Sequence, residues 1–294
     1  MNKFLQKTDI LRNEVLSKHT TMQIGGKCDY FFEPKTIKDF VNAIKFCKKT
    51  NKKYYILGNG SKVLFLDSGF RGVVICTKGL NKIYSKNTIV KANCGVNLFA
   101  LNNFLANNNL AGLEFTYGIP GTVGGAVCMN AGANDGEIGN FVQKVKIFDG
   151  KKTRIIKQKG LNFAYRDSLI KQKSYVVLCV WLKLKKGKKI DIQNKCKEYM
   201  LKRKLTQPLE SFNSGSIFKK TNGIIAGKII DKIGLKGVKI NGAQISTLHA
   251  NFIINNGNAT SRDVVELMNL VRQKVYSKTG VWLEREIIIV GEEK

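Results

Sequence analysis

The sequence lacks any long apolar run. No window approaches the roughly 18 consecutive apolar residues that a membrane-spanning helix requires, and residues 1–15 contain no continuous apolar segment of the kind found in secretory signal peptides. Because both signals are missing, the sequence predicts a soluble protein of the cytoplasm with no membrane partner.

The cysteine spacing of a disulfide framework or a metal site is also missing. The chain has seven cysteines, an odd number, and no two of them form a Cys-X-X-Cys pair. Several lie inside apolar stretches, such as Cys76 after Val74-Ile75 and Cys179 between Leu178 and Val180. Such cysteines behave as small hydrophobic residues, so we expect free thiols in a reducing compartment and no bound metal.

Acidic residues are scarce relative to basic ones. The chain has 21 Asp and Glu against 50 Lys and Arg, which gives a net charge of +29. The lysines are spread along the chain, however, and no zinc-finger, basic-zipper or basic-aromatic pattern occurs. We interpret the charge as a compositional bias rather than as the sign of a specific nucleic-acid partner. The resulting positive field favours the binding of anionic nucleotides. A basic nucleic-acid-binding module remains an alternative, because clustered charge binds phosphate backbones.

Predicted helices and strands alternate along the 294 residues, and 43% of them are hydrophobic, which is ample for a buried core. This alternation indicates an α+β or α/β protein of two or three structural units. The predicted helices cover Thr36–Lys49, Val96–Asn109, Asp191–Leu205, Gly223–Ile233 and Ser261–Tyr276, and the predicted strands cover Tyr54–Leu57, Gly72–Cys76, Thr88–Ala92, Val145–Phe148, Tyr175–Leu184 and Ile287–Val290. The basic run Lys185–Lys189 is the best candidate for a linker and is expected to form a solvated turn.

A first glycine-rich segment, Gly58-Asn59-Gly60-Ser61, follows a predicted strand. Such a turn can direct several backbone N–H groups inward and so form a nest for a pyrophosphate. A plain tight turn explains the same residues equally well. The segment is not a dinucleotide-binding fingerprint, because Val63 occupies the position of the third glycine.

A second segment, Gly112–Ala133, contains six glycines and one of only three prolines in the chain. Small residues allow the backbone to approach a large flat ligand closely, and exposed N–H groups can bind phosphate or ring carbonyl oxygens. Close packing of backbone without a ligand is the alternative.

These segments belong to a set of motifs that resembles the UDP-N-acetylenolpyruvoylglucosamine reductase (MurB) family. The motifs occur in the family's order and cover nearly the whole chain: Thr20–Gly26, Leu57–Ser61, Gly112–Ala133, Tyr165–Ser168, Gln207-Pro208, Ser214–Lys219, His249–Asn255 and Leu283–Glu286. Gly118–Ala133 and Ser214–Lys219 are the most specific. The stretch Leu169–Tyr175 has no room for the inserted loop of the longer variety, so the chain resembles the shorter, type II-like variety.

The resemblance implies an α+β protein with the FAD-binding fold of vanillyl-alcohol-oxidase (PCMH-type) flavoproteins. It places an FAD-binding region in residues 1–186, with subdomains of about 1–76 and 77–186, and a smaller α+β substrate domain in residues 187–294. It also implies noncovalent FAD, NADPH as co-substrate, small-molecule substrates and a monomer. The implied cofactor contacts are Gly58, Asn59, Gly60, Ser61, Gly118, Pro120, Gly121, Gly124, Gly125, Asn130, Ala131 and Gly132.

The implied reaction is the NADPH-dependent reduction of UDP-N-acetylglucosamine enolpyruvate, a step of peptidoglycan precursor synthesis. Ser216 is expected to donate a proton to the α-carbon, while Arg166 and Glu286 polarise the substrate carboxylate and stabilise the intermediate. Arg166 can bind a carboxylate through two hydrogen bonds, whereas Glu286 would have to be protonated to donate one. Serine is a poor acid, so it needs help from developing negative charge on carbon, a neighbouring cation or a water chain. Lys219 is one candidate helper.

Each of these residues has a non-catalytic alternative. A Gly/Ser-rich turn is predicted at Asn213–Ser216, so Ser216 fits a turn or cap serine. Arg166 and Glu286 fit surface ion pairs. Substrate contacts are predicted for Tyr165, Arg203, Lys204, Gln207, Lys219, His249 and Asn255. An FAD-dependent sugar or alcohol oxidase of the same fold is the alternative within flavoenzymes.

Three positions depart from the family pattern. Lys62 replaces a common Asn after Gly-Asn-Gly-Ser, Thr221 replaces a Pro, and Arg285 replaces the Pro of a Leu-Glu-Pro-Glu ending. Lys62 is expected to alter a flavin contact, and Arg285 to alter how rigidly Glu286 is held.

Overall fold

The computed structural model describes residues 9–220 and 223–292, and within these ranges the chain forms α-helices and short β-strands in alternation. The helices are α1 (Ile37–Lys49), α2 (Leu98–Asn107), α3 (Val123–Cys128), α4 (Leu169–Gln172), α5 (Lys189–Thr206), α6 (Ala226–Lys232) and α7 (Ser261–Thr279). The strands are β1 (Ile10–Val15), β2 (Lys27–Phe32), β3 (Tyr54–Leu57), β4 (Val63–Phe65), β5 (Phe70–Cys76), β6 (Ile83–Lys86), β7 (Ile89–Asn93), β8 (Leu110–Ala111), β9 (Gly132–Ala133), β10 (Gly136–Glu137), β11 (Val142–Phe148), β12 (Thr153–Lys157), β13 (Val176–Lys183), β14 (Lys185–Lys186), β15 (Phe212–Ser216), β16 (Lys239–Ile240), β17 (Ala243–Ile245), β18 (Phe252–Asn255) and β19 (Ile288–Val290).

The chain forms two compact units, each made of several separate segments of the sequence. The described residues of unit 1 are 9–11, 31–59 and 73–202, and those of unit 2 are 12–30, 60–72, 203–220 and 223–292. The domain border at 186/187 therefore stays a prediction.

Unit 1 is built on a five-stranded antiparallel sheet in the order β12-β11-β13-β7-β6. The two faces of this sheet follow from the period of two along each strand. On one face Val145 lies opposite Val180, which lies opposite Ala92, and all three are buried. On the other face Trp181 lies between Lys144 and Lys91, whose ammonium groups are 4.9 and 5.4 Å from its ring centroid. The apolar face forms part of the core of this unit.

Unit 2 is built on a four-stranded antiparallel sheet in the order β15-β18-β17-β16, and β4 pairs in parallel with β19. Helix α7 contributes Val264, Leu267, Met268, Val271 and Val275 to the buried cluster of this unit. A capping box at its N-terminus and a left-handed Gly280 at its C-terminus explain where it begins and ends.

Three predicted elements were wrong in detail. Lys185–Lys189 is not a free turn, because β14 pairs with β8 and α5 begins at Lys189. Asn213–Ser216 lies in β15 rather than in a turn, and the strand tolerates Gly215 at φ +68° because its pairing with β18 is irregular there. The helix predicted over Gly223–Ile233 begins only at Ala226.

No helix in the described part of the chain is long and apolar enough to cross a membrane. All seven cysteines are free, and six of them are buried. Burial raises the pKa of the Cys76 thiol to about 11 and that of Cys28 to about 12, so these thiols are poor nucleophiles at neutral pH. Thr221 lies outside the described residues.

Candidate functional site

Parts of the two glycine-rich segments lie side by side in unit 1. The Asn59 side-chain amide donates to the Pro120 carbonyl at 3.1 Å. A Cβ added at Gly58 would lie 2.7 Å from the Thr122 hydroxyl oxygen. The sequence predicted a phosphate-binding role for each segment separately, and the fold brings Asn59 and Thr122 to one place.

The glycines predicted to contact a cofactor differ in the space around them. A Cβ at Gly124 would lie 2.8 Å from the Cβ of Cys94, so this glycine is required for packing. A Cβ at Gly132 would meet the Gly136 carbonyl at 2.7 Å. At Gly121 and Gly125 the nearest atoms are 3.5 Å away, so the backbone there is open to a ligand. Gly60, in unit 2 at φ +70°, packs against the backbone of residues 19 and 20.

A pocket of about 280 Å³ opens beside these segments in unit 1. Its walls combine small residues with amide, hydroxyl and ammonium groups: Asn59, Lys78, Asn81, Gly95, Val96, Asn97, Ala100 and Thr122. Thr122 also caps α3, since its hydroxyl accepts from the Gly125 N–H at 3.4 Å. Backbone groups plus one cation suit a phosphorylated ligand, so the residues fit part of a dinucleotide such as FAD. Sequence reasoning missed Lys78 and Thr122 as lining residues. Lys78 lies outside both glycine-rich segments, and Thr122 lies inside the second one but was not named as a contact.

Asn130 is buried and serves the fold of unit 1. Its side-chain amide donates to the Glu137 carboxylate at 2.9 Å and to the Ala164 carbonyl at 3.0 Å, and its oxygen accepts from the Gly139 N–H at 3.0 Å. These bonds join the end of the glycine-rich segment to the turn that carries Arg166. Its predicted cofactor contact stays a prediction.

Arg166 lies at the tip of a tight turn between Ala164 and Asp167, which exchange both backbone hydrogen bonds at 3.1 Å. Its φ of +56° is rare for a residue with a side chain, and such strain is typical of functional positions. The Lys171 ammonium donates to the Arg166 carbonyl at 2.9 Å, and the guanidinium lies 5.1 Å from the Tyr165 ring centroid. Both residues line a pocket of about 340 Å³ in unit 1, together with residues 132–137 and 140.

Ser216 and Glu286 lie together in unit 2, with Lys62 between them. The Lys62 ammonium donates to the Ser216 carbonyl at 2.6 Å and lies 2.9 Å from the Glu286 carboxylate. Only 6% of Glu286 is exposed. The Lys62 ammonium thus contacts the Ser216 segment, although the sequence marked Lys62 only as a departure from the family pattern. Lys219, one candidate for the helper, forms an ion pair of 2.8 Å with Glu284, whose side chain is 61% exposed.

His249 and Asn255 occupy structural positions in unit 2. The ring nitrogen Nδ1 of His249 accepts from the Asn251 N–H at 3.2 Å, and burial lowers the pKa of this histidine. The Asn255 amide donates to the Met22 carbonyl at 3.0 Å and accepts from the N–H groups of Gly257 and Ala259. Substrate contacts by these two residues stay predictions.

Arg203 and Gln207 carry buried polar atoms without partners. Among the described residues, neither the Arg203 Nε nor the Gln207 Oε1 has a hydrogen bond. Burial lowers the pKa of the Arg203 guanidinium. Buried polar atoms are normally paired, so these two are candidates for ligand contacts, whereas Lys204 is exposed. The described residues contain no cluster of three or more His, Cys, Asp or Glu side chains that could hold a metal ion.

Comparison with known proteins decides the family. The UDP-N-acetylenolpyruvoylglucosamine reductase of Clostridium novyi (strain NT) is 40% identical over 295 residues, which cover 100% of this chain and 96% of the relative. The chain belongs to the UDP-N-acetylenolpyruvoylglucosamine reductase family. The relative from Geobacillus kaustophilus (strain HTA426) bearing the same name is 39% identical and covers 97% of this chain and 94% of its own length.

The structural comparison agrees with this family. The crystal structure of UDP-N-acetylenolpyruvylglucosamine reductase (MurB) from Thermus caldophilus has a TM-score of 0.80 and 34% identity, and the match covers 94% of this chain and 97% of that one. A family model described as an FAD binding domain matches residues 28–157, and one described as the C-terminal domain of the reductase matches residues 207–290. The predicted FAD-binding fold and the FAD cofactor are thereby confirmed.

Proposed function

We propose that this chain reduces the enolpyruvyl group of UDP-N-acetylglucosamine enolpyruvate and so forms UDP-N-acetylmuramate for peptidoglycan synthesis. NADPH is the electron donor and noncovalently bound FAD is the carrier. Family membership supports the substrate class. The structural observation that carries the proposal is the cluster of Ser216, Lys62 and the buried Glu286 in unit 2.

Residues of unit 1 are assigned to the cofactor. Bound FAD would supply hydride transfer from NADPH to the β-carbon of the enolpyruvyl double bond. Gly121 and Gly125 leave the backbone open to a flat ring system, and Asn59, Thr122 and Lys78 supply polar groups in the adjoining pocket. Gly124 shapes the backbone of α3, and the other predicted cofactor contacts stay predictions.

Ser216 is assigned the protonation step. As negative charge develops on the α-carbon and spreads into the carboxylate, the serine O–H bond breaks and a C–H bond forms at that carbon. Water then returns a proton to the serine oxygen. The Arg166 guanidinium is assigned to the substrate carboxylate, because this planar group can donate hydrogen bonds to both carboxylate oxygens at once and stabilise the negative charge there.

The UDP moiety is assigned to Arg203 and Gln207. Their unpaired buried atoms would gain hydrogen bonds from a diphosphate or a uracil ring. The net charge of +29 also attracts an anionic nucleotide sugar and NADPH to the protein. Ionic strength is therefore expected to weaken substrate capture.

Steady-state turnover tests this function. The purified holoenzyme is expected to oxidise NADPH only when UDP-N-acetylglucosamine enolpyruvate is present, and to release a product heavier by two hydrogen atoms. UDP-N-acetylglucosamine, which lacks the double bond, is the matched control substrate. NADPH oxidation that depends on oxygen and ignores the enolpyruvyl sugar would overturn the proposal.

A further inference from the structure

Three chain segments converge on the Lys62 ammonium in unit 2. Lys62 directly precedes β4, Ser216 ends β15, and Glu286 lies two residues before β19. The ammonium contacts the Ser216 carbonyl at 2.6 Å and the Glu286 carboxylate at 2.9 Å. One side chain therefore joins the two residues assigned to proton donation and charge stabilisation.

The backbone around Lys62 is fixed by hydrogen bonds. Its carbonyl accepts from the Ile288 N–H at 3.0 Å, and the Glu286 N–H donates to the Ile217 carbonyl at 2.7 Å. A Cβ added at Gly215 would lie 3.5 Å from the ammonium, in ordinary contact. These hydrogen bonds fix the backbone at Lys62 and at Glu286, the two residues of the ion pair.

Burial distinguishes this ion pair from its neighbour. The Glu286 side chain is 5% exposed and that of Lys62 is 31% exposed, whereas Glu284 in the pair with Lys219 is 61% exposed. A buried carboxylate without a cation is strongly unfavourable. An exposed pair such as Lys219–Glu284 contributes little. Lys62 is thus a cation that stabilises the buried carboxylate of Glu286.

We propose that Lys62 is a positioning residue for the reduction: its ammonium holds the Ser216 segment and the Glu286 carboxylate in one fixed arrangement. This inference rests on the proposed function. It also changes the role expected of Glu286. With Lys62 donating to it, Glu286 acts as an acceptor that anchors the cation, and positive charge close to Ser216 assists a serine that must give up a proton.

The test is the anaerobic reoxidation of NADPH-reduced Lys62→Ala holoenzyme by UDP-N-acetylglucosamine enolpyruvate. We expect the rate constant of reoxidation to fall about 100-fold, which is the loss typical of a misplaced catalytic group. Substrate affinity and the rate of flavin reduction by NADPH should change less than about threefold. Methylammonium, which fits the space left by the side chain, is expected to restore much of the lost rate. Tetramethylammonium, which cannot donate a hydrogen bond, is expected to restore none.

Arg262→Met is the matched control, because Arg262 forms an exposed ion pair with Glu266 in the same unit. It should reoxidise at the wild-type rate. A wild-type rate in Lys62→Ala, an equal loss in both half-reactions, or the absence of rescue by methylammonium would each overturn the assignment of Lys62 alone. If the wild-type flavin itself is not reoxidised by the sugar, the proposed function fails, and the Lys62 assignment fails with it.

Should Lys62→Ala not fold, Lys62→Met keeps the aliphatic chain and removes only the charge. The same selective loss in the second half-reaction is then expected. An unchanged rate in Lys62→Met would overturn the proposal.

Discussion

The two compact units present their candidate contacts in different ways. In unit 1 they include backbone without side chains at Gly121 and Gly125, besides side chains such as Arg166. In unit 2 they come from charged and hydroxyl side chains, namely Lys62, Ser216 and the buried Glu286. Each unit is therefore sensitive to a different kind of substitution. Adding one methyl group is the severe change in unit 1, whereas removing one polar atom is the severe change in unit 2.

The largest effect is expected in unit 2, from Ser216→Ala. Loss of the proton donor should slow reoxidation of the reduced flavin by the enolpyruvyl sugar by about 10³-fold or more. Flavin reduction by NADPH should stay nearly intact, because it needs no proton from this hydroxyl. Stopped-flow absorbance under anaerobic conditions measures both steps in one sample. Equal slowing of the two steps would remove Ser216 from the role of proton donor.

In unit 1 the largest effect is expected from Gly124→Ala. The new methyl group would lie 2.8 Å from the Cβ of Cys94, on the buried side of α3. Overpacking of this kind costs about 2 kcal/mol of unfolding free energy. Urea unfolding of the apoprotein measures this loss, and an unchanged midpoint would show that the packing around α3 gives way.

Gly125→Ala, at the next position of α3, tests an open glycine against the packed Gly124. Its methyl group meets no atom closer than 3.5 Å, so the apoprotein should keep its stability or gain up to about 1 kcal/mol from helix propensity. FAD affinity should fall about tenfold, or ~1.4 kcal/mol, because the methyl group occupies the open side of the backbone. Titration of apoprotein with FAD measures this. An unchanged affinity would mean that the cofactor does not approach Gly125.

The smallest effect is expected from His249 as the pH is lowered. Burial lowers its pKa below the ordinary 6.5, so the unfolded chain takes up a proton in a range where the folded chain does not. Unfolding free energy should therefore decrease as the pH falls through 6.5, until the folded histidine also titrates. His249→Gln should make this decrease in unfolding free energy smaller, by less than about 1 kcal/mol. Urea unfolding at pH 5.5 and 7.5 tests it; identical pH dependence in both proteins would contradict the prediction.

The parts of the fold that follow local rules were predictable from sequence. Helix α1 follows from its apolar spacing and its Thr36 cap, and the N-terminus of α7 follows from its periodicity. The pairing of Lys185–Lys186 with β8 depends on residues more than 70 positions away, which composition does not reveal. The basic run was therefore predicted as a turn.

The candidate site shows the same limit. Motif resemblance pointed to Ser216 and Glu286, but the link between them comes from Lys62, which is 154 positions from Ser216 in the sequence. Lys219 was named as one candidate helper because it is close in sequence, yet its ammonium pairs with the exposed Glu284. Likewise, motif membership did not separate packing glycines such as Gly124 from open ones such as Gly125, because the distinction depends on Cys94.

The most direct test of the account mixes the anaerobically reduced wild-type holoenzyme with one equivalent of UDP-N-acetylglucosamine enolpyruvate. We expect the oxidised flavin spectrum to return in a single turnover, with one equivalent of UDP-N-acetylmuramate formed. A flavin that stays reduced until oxygen is admitted would contradict it.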